Sequence, residues 1–172
     1  MMEEKNIALI GFMGAGKTAV SQILAKRLKR QRVSVDDLIV KLDGREINAI
    51  FSESGEKFFR DLESCVIAEA VKQNGLVIDC GGGAVLKEEN VANLKSDGVI
   101  VYLKASLDAV YGRVKNQKHR PLLNVEDPRK RIGEMLQVRA PVYEQACDVC
   151  IVTDQKRPED VADEIVRVLG LR

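Results

Sequence analysis

Short runs of apolar residues, each about as long as a β-strand, recur along the chain between stretches of helical periodicity. The runs predict strands over residues 5–10, 32–35, 76–79, 99–103 and 149–152. Strands that alternate with helices form parallel sheets, because each connection carries the chain back to the start of the next strand. The pattern therefore predicts an α/β fold with helices on both sheet faces and ligands at the carboxyl ends of the strands.

Between the predicted strands, apolar positions return every three or four residues, as on one face of a helix. Val20, Ile23, Leu24 and Leu28 show this spacing behind the first strand. Further helices are predicted over residues 37–42, 47–51, 56–72, 88–94, 107–115, 129–139 and 158–169. The elements together predict one domain, residues 1–172, with three α-β-α layers around a five-stranded parallel sheet.

One segment, residues 116–124, departs from regular structure. It is polar and basic, is interrupted by Pro121, and lies between two predicted helices. Irregular connections of this kind often close over a ligand. We therefore expect a mobile lid over residues 112–126.

Length and charge restrict the classes of function. The 172 residues carry a formal net charge of +1, which gives no general electrostatic attraction to nucleic acid or to an anionic membrane. The apolar stretch near the amino terminus is too short for a signal or membrane helix. We expect no nucleic-acid partner, no membrane association and a cytoplasmic location.

The four cysteines include one C-x-x-C pair, Cys147 and Cys150. With one histidine, His119, and no second C-x-x-C, a zinc site is poorly supported. Cys150 belongs to an apolar run, so we expect it to be buried packing and not a redox centre.

The strongest chemical signal is the segment at residues 11–18, Gly-Phe-Met-Gly-Ala-Gly-Lys-Thr, between the first strand and the first helix. It matches the P-loop pattern, in which backbone N–H groups and a helix N-terminus converge on phosphate oxygens. Lys17 would reach the outer phosphates and the Thr18 hydroxyl would ligate Mg²⁺. The residues expected to bind ATP here are Gly14, Ala15, Gly16, Lys17, Thr18 and Ala19. A glycine-rich turn with a chance Lys-Thr is the weaker alternative.

Further candidates for chemistry stand at the ends of the second and third predicted strands. Asp36 and Asp37 follow the second strand, and Asp79 ends the third as Leu-Val-Ile-Asp. An Asp behind a hydrophobic strand is the Walker B form of a metal contact. Gly81, Gly82 and Gly83 follow at once, either as a turn where only backbone approaches a ligand or as a plain flexible turn.

At this point the chain resembles the shikimate kinase family, and the similarity spans nearly its whole length. Besides the P-loop, the segments that carry it are residues 36–45, 55–63, 81–85, Arg-Pro-Leu-Leu at 120–123 and Arg-Ala-Pro-Val-Tyr at 139–143. The triple glycine or the Arg-Pro-Leu-Leu string alone would be weak, but their common order and spacing are specific.

The resemblance implies a P-loop kinase fold and ATP-dependent phosphorylation of shikimate to shikimate 3-phosphate in aromatic amino acid biosynthesis. It implies ATP and shikimate as ligands, Mg²⁺ as cofactor and a monomer. Asp36 would bind and deprotonate the acceptor hydroxyl. Arg60 and Arg139 would grip the substrate carboxylate, with Glu63 orienting Arg60.

The remaining roles implied by the resemblance concern backbone, lid and adenine. Gly81, Gly82 and Gly83 would offer backbone to the substrate hydroxyls, and Arg120 would close over the transferred phosphate. The residues implied to flank the adenine are Arg113, Lys156, Arg157 and Pro158. Taken singly, each arginine could equally form a surface ion pair.

One position departs from the family pattern. Ser34 stands where the family usually has the first Asp of D-x-D, which helps to hold Mg²⁺ through water. Asp79 stands where the family often has a small residue. Either Asp79 is a relocated carboxylate that helps to hold Mg²⁺, or Ser34 is enough to hold Mg²⁺ through water and Asp79 serves local structure.

Three other functions stay open at this point. A gluconate or homoserine kinase would use the same scaffold, although Arg60, Arg139 and the triple glycine favour shikimate. A regulatory GTPase should have an N-K-x-D guanine-reading motif, which the segment at residues 116–119 does not supply. An inactive relative that binds a partner is disfavoured, because Lys17 and Asp36 are both present.

Overall fold

The structure, a computed structural model, describes residues 2, 4–117 and 125–171. They form one parallel sheet with the strand order β2-β3-β1-β4-β5. The strands are β1 (Asn6–Ile10), β2 (Arg32–Ser34), β3 (Val77–Asp79), β4 (Gly98–Lys104) and β5 (Val149–Val152). All five predicted strands and the parallel pairing are therefore confirmed.

Seven helices occur among the described residues. They are α1 (Lys17–Leu28), α2 (Val35–Asp43), α3 (Ile47–Ala70), α4 (Glu88–Ser96), α5 (Leu107–Val114), α6 (Pro128–Ala146) and α7 (Pro158–Val168). Helix α1 packs beside α7, α3 packs between α2 and α4, and α5 packs on α6. No helix in the described ranges is both long enough and apolar enough to cross a membrane.

Several helix boundaries differ from the prediction, most by one or two residues, and the clearest cases have a physical cause. The second helix begins at Val35, two residues early, because the Ser34 hydroxyl accepts a hydrogen bond from the Asp37 amide and caps it. The two helices predicted over 47–51 and 56–72 are confirmed as the two parts of α3, separated by a non-helical break at Gly55, where φ is +82°. Helix α6 continues past residue 139 to Ala146 despite Pro141, because the burial of Tyr143 and Ala146 stabilises its last turns.

The prediction that Cys150 is buried is wrong. The last strand lies at the edge of the sheet, where Ile151 is buried and Cys150 and Val152 are exposed. An edge strand covered on one face alternates between core and solvent, and the register places this thiol on the solvent side.

The central strand β1 is buried along its whole length and carries the chain directly into the P-loop. The second strand leads into α2 with Asp36 in its first turn, and the third leads into the triple glycine. Because neighbouring parallel strands end at the same edge, these three segments come together there.

Asn6 joins β1 to the turn that precedes β3. Its side chain is 1% exposed, donates to the carbonyl of Gln73 (2.7 Å) and accepts from the amide of Leu76 (2.8 Å). Both partners are backbone groups that would otherwise be left without a protein hydrogen bond. The side chain therefore holds these neighbouring segments together at the amino-terminal edge of the sheet.

We predict that Asn6→Ala lowers the free energy of unfolding by about 1–3 kcal/mol, because the buried Leu76 amide loses its acceptor and the part-buried Gln73 carbonyl loses its donor. Urea denaturation measures the change. Asn74→Ala, at an exposed position of the same turn, is the control and should stay within about 0.5 kcal/mol of the parent. Equal effects of the two substitutions would contradict this role for Asn6.

Candidate active site

The P-loop has the backbone conformation that its glycines allow. Gly14 has φ +72° and Gly16 has φ +97°, in the left-handed region that side chains disfavour. The Lys17 ammonium donates to the carbonyls of Gly11 (2.7 Å) and Phe12 (3.0 Å). The cation thus lies over the mouth of the loop, where phosphate oxygens would approach.

An open cavity of about 400 Å³ lies between the P-loop, the start of α2 and the end of β3. It brings together most of the residues that the sequence predicts for ATP, metal and acceptor hydroxyl. The residues that line it are Met13, Gly14, Gly16, Lys17, Thr18, Ala19, Ser34, Asp36, Asp79, Cys80, Gly81, Gly82, Arg113 and Gln117.

Space, and not an unusual backbone angle, favours glycine at Gly81 and Gly83, because none of the three φ values in the turn is in the left-handed region. A Cβ atom at Gly81 would lie 3.1 Å from Glu63 Oε1 and 3.2 Å from Asp36 Oδ1. A Cβ atom at Gly83 would overlap the Arg60 guanidinium. Asp36, the predicted base, and Arg60, predicted to bind the substrate carboxylate, therefore meet at this turn.

Arg60 projects from α3 and is held by its neighbours. It forms an ion pair with Glu63 (2.8 Å) and lies over the ring of Phe59, 5.2 Å from the centroid. Glu63 is fully buried, and burial raises the pKa of its carboxyl despite the nearby guanidinium. Glu63 Oε1 has no hydrogen-bond partner among the described residues, so it faces the turn with spare accepting capacity.

Arg139 and Tyr143 approach the same turn from α6. One Arg139 amino nitrogen lies 3.8 Å from the Cβ position of Gly82, and its guanidinium is 5.9 Å from the centre of the Phe12 ring. The Tyr143 hydroxyl donates to the Gly82 carbonyl, and its ring stacks on Tyr102 at 5.1 Å. Sequence reasoning gave Tyr143 no separate role, since no local pattern shows a hydrogen bond across 61 positions.

Arg113 joins the P-loop to the segment that follows β5. It donates to the Gly14 carbonyl (3.0 Å) and to the Thr153 carbonyl (3.0 Å). The predicted adenine residues Lys156 and Arg157 come directly after that segment, paired with Glu164 and Asp160. With Pro158 they lie outside the lining of the described cavity, and their role stays a prediction.

Asp36 lies in a charged environment. Burial raises the pKa of its carboxyl, the negative charge of Asp79 adds to this, and the Lys17 ammonium opposes it. The open cavity still leaves Asp36 accessible to solvent. The carboxylate therefore gains basicity while it stays reachable by a ligand.

Asp79 is tied to its neighbours on the floor of the cavity. Its Oδ2 accepts from Arg32 (2.6 Å) and, at 3.4 Å, from the Ser21 hydroxyl. Arg120, predicted to act from the lid, lies outside the described residues, as do residues 118–124 as a whole.

The comparisons with known proteins agree with this arrangement. A family model described as shikimate kinase matches residues 13–170. The shikimate kinase of Thermodesulfovibrio yellowstonii is 49% identical over 163 residues, covering 95% of this chain and 94% of that protein. The chain belongs to the shikimate kinase family.

Further relatives support the same assignment. The shikimate kinase of Dehalococcoides mccartyi is 40% identical over 165 residues, 96% of this chain and 93% of that protein. A solved shikimate kinase from Acinetobacter baumannii, in complex with shikimate, has a TM-score of 0.91 at 36% identity over 96% of this chain and 93% of its own. The expected family and the P-loop kinase fold are confirmed.

The donor atoms of the cavity fit the metal that shikimate kinases imply. Thr18, Ser34, Asp36 and Asp79 offer only oxygen, the ligand type that Mg²⁺ prefers. The described residues contain no group of three or more His, Cys, Asp and Glu side chains that could hold a metal ion. A magnesium ion here would therefore need oxygens of nucleotide and water to complete its shell.

We predict that Tyr143→Phe loosens the triple-glycine turn, because the Gly82 carbonyl loses its donor. Amide exchange over residues 80–86, measured by mass spectrometry, should rise about 2–12-fold, corresponding to a hydrogen bond worth about 0.5–1.5 kcal/mol.

Tyr102→Phe is the matched control, since it removes the hydroxyl of the stacked ring and keeps the stack. Its exchange over the same residues should match the parent. A turn that exchanges equally fast in both variants, or at the parental rate in Tyr143→Phe, would contradict the role given to the Tyr143 hydroxyl.

Proposed function

We propose that this chain transfers the γ-phosphoryl group of ATP to a hydroxyl of shikimate. The observation that carries the proposal is the meeting of Arg60, Arg139 and Asp36 at the triple-glycine turn, beside the Lys17 side of the P-loop. Two guanidinium groups suit the carboxylate of a small hydroxy acid, and an aspartate suits its reacting hydroxyl.

The acceptor would lie with its carboxylate toward Arg60 and Arg139 and its reacting hydroxyl toward Asp36. Glu63 and Phe59 fix the Arg60 guanidinium before substrate arrives, which lowers the entropy lost on binding. The backbone of the turn at Gly81 and Gly82, which lines the cavity, is available to the other hydroxyls. The site therefore positions the acceptor mainly through groups that are already oriented.

Asp36 would accept the proton of the acceptor hydroxyl as the oxygen attacks phosphorus. Its raised pKa makes the carboxylate a better base than an ordinary aspartate. Lys17 would exchange its bonds to the loop carbonyls for phosphate oxygens and offset the charge that develops on them. Both groups act at the same end of the cavity.

Several finer expectations remain proposals. Magnesium, when bound with the nucleotide, would supply charge neutralisation of the phosphates, with the Thr18 hydroxyl as ligand. Arg120 would act on the transferring group, and Arg113, Lys156, Arg157 and Pro158 would flank the adenine. A cytoplasmic monomer remains the expected state of the protein.

The function is tested by coupled ADP release with shikimate, gluconate, homoserine and nucleoside monophosphates as acceptors. Shikimate should support turnover far above the others, in keeping with the family of the relatives. A preference for gluconate or homoserine would contradict the proposal and indicate a gluconate or homoserine kinase with the same fold.

We predict that Arg60→Ala and Arg139→Ala each raise the KM for shikimate far more than the KM for ATP. Loss of one partner of a desolvated charge pair costs roughly 2–5 kcal/mol, or about 30–5,000-fold in binding. Steady-state kinetics with each substrate varied separately measure the split. Arg129→Ala, a surface arginine of α6 paired with Asp108, is the control and should change neither constant. Equal losses for both substrates would assign Arg60 and Arg139 to the nucleotide side.

We predict that Asp36→Asn lowers kcat by about 10²–10⁴-fold, because the amide cannot accept the proton. ATP affinity, measured by calorimetry, should stay close to the parental value. A variant that keeps most of the parental kcat would show that Asp36 is not the base.

The same substitution should stabilise the fold at neutral pH. The folded-state pKa of Asp36 is raised, so its ionisation disfavours the folded state once the pH exceeds the unfolded pKa, near 3.9. The stability difference between variant and parent should therefore shrink as pH falls through that value. Urea denaturation at several pH values checks the sign.

A further inference from the structure

Ser34 and Asp79, the two cavity residues that depart from the family pattern, are direct neighbours across the sheet. In the parallel register of β2 and β3, Ser34 pairs with Asp79 at the strand ends. Both line the cavity that also contains Thr18. A carboxylate at Asp79 and one at position 34 would therefore serve the same corner of the site from adjacent strands.

Each of the two side chains is held by contacts of its own. The Ser34 hydroxyl accepts from the Asp37 amide (3.2 Å) and is used as the cap of α2. Asp79 ends the strand next to β1, as an aspartate behind a hydrophobic strand, which is the Walker B form of a metal contact. Its carboxylate therefore stands beside the P-loop on the lining of the same cavity.

Hydrogen bonds connect Asp79 to the residue that would ligate the metal. Its Oδ2 accepts from Arg32 (2.6 Å), and Arg32 Nε also donates to the Ser21 hydroxyl (2.7 Å). That hydroxyl lies 2.8 Å from the Thr18 carbonyl. The chain of contacts fixes Asp79 against the first turn of α1, at the level of Thr18.

We propose that Asp79 is the carboxylate that orients the water shell of the magnesium ion of the bound nucleotide, in place of an acidic residue at position 34. Arg32 and Ser21 hold its Oδ2, and Oδ1 serves the water. This assignment rests on the proposed function only in that the chain binds a metal–nucleotide complex. Asp36, on the same cavity, is left to the acceptor hydroxyl.

The Arg32 contact also supports a competing interpretation, in which the ion pair between Arg32 and Asp79 is structural only. The two interpretations separate in a pair of variants. Asp79→Asn keeps the size and hydrogen bonds of the side chain but loses its charge, whereas Arg32→Met keeps the carboxylate and loses the ion pair. A structural pair predicts similar consequences for both, and a metal role predicts opposite ones.

The experiment measures Mn²⁺ binding to the protein–ADP complex by electron paramagnetic resonance, without shikimate and without turnover. Asp79→Asn and Asp79→Ser should each weaken Mn²⁺ binding by about 10–100-fold, the usual effect of losing an outer-shell partner. Arg32→Met should bind Mn²⁺ at least as tightly as the parent, because it removes a cation that competes for the Asp79 carboxylate while the Ser21 hydroxyl still contacts Oδ2. Thermal denaturation of each variant shows that the folded protein is compared.

A rescue variant completes the design. Ser34→Asp in the Asp79→Ser background should recover most of the lost affinity, because Asp also caps helices and one carboxylate suffices. Ser34→Asp alone should change the Mn²⁺ affinity little, because one carboxylate already suffices and the second is opposed by the like charge of Asp79.

Parental Mn²⁺ affinity in both Asp79 variants would overturn the inference, as would equal losses in Asp79→Asn and Arg32→Met. The outcome is independent of the acceptor. If ADP release fails with shikimate while the Mn²⁺ results hold, the proposed function falls and the metal assignment stands.

Discussion

The site depends on the missing side chains of one turn. At Gly81 and Gly83, carboxylate oxygens and a guanidinium occupy the space that any Cβ atom would need. Groups of opposite charge can approach a backbone closely only where nothing projects from it. The turn follows β3 next to the P-loop, so the same absence brings Arg60 and Asp36 close to that loop.

The charged groups around this turn differ in how completely their polar atoms are paired. Arg60 has both a buried carboxylate and an aromatic ring as neighbours, whereas Glu63 Oε1 has no partner among the described residues. Buried polar atoms without partners are rare in folded proteins because they lose hydration without compensation. Such an atom is a local cost in stability, kept where Glu63 holds the Arg60 guanidinium in place.

The sequence was sufficient for the elements and for the residues that carry recognisable local patterns. Strand-length apolar runs identified all five strands, and the P-loop spacing located residues that line the cavity. Contacts between distant positions could not be read in this way. The bond from Tyr143 to Gly82 and the pairing of Arg32 with Asp79 depend on how α6 and β2 are placed by the sheet. The exposure of Cys150 likewise follows from its strand being an edge, which composition does not reveal.

Lys17 has a consequence for how the P-loop discriminates between anions. Its ammonium already donates to the Gly11 and Phe12 carbonyls, so an incoming anion competes with those carbonyls for its hydrogens. A small singly charged ion offers one or two acceptor oxygens in return, whereas a polyphosphate also engages the amides of the loop. The self-bound lysine therefore sets a threshold that favours multivalent phosphate chains over the simple salts of the cell.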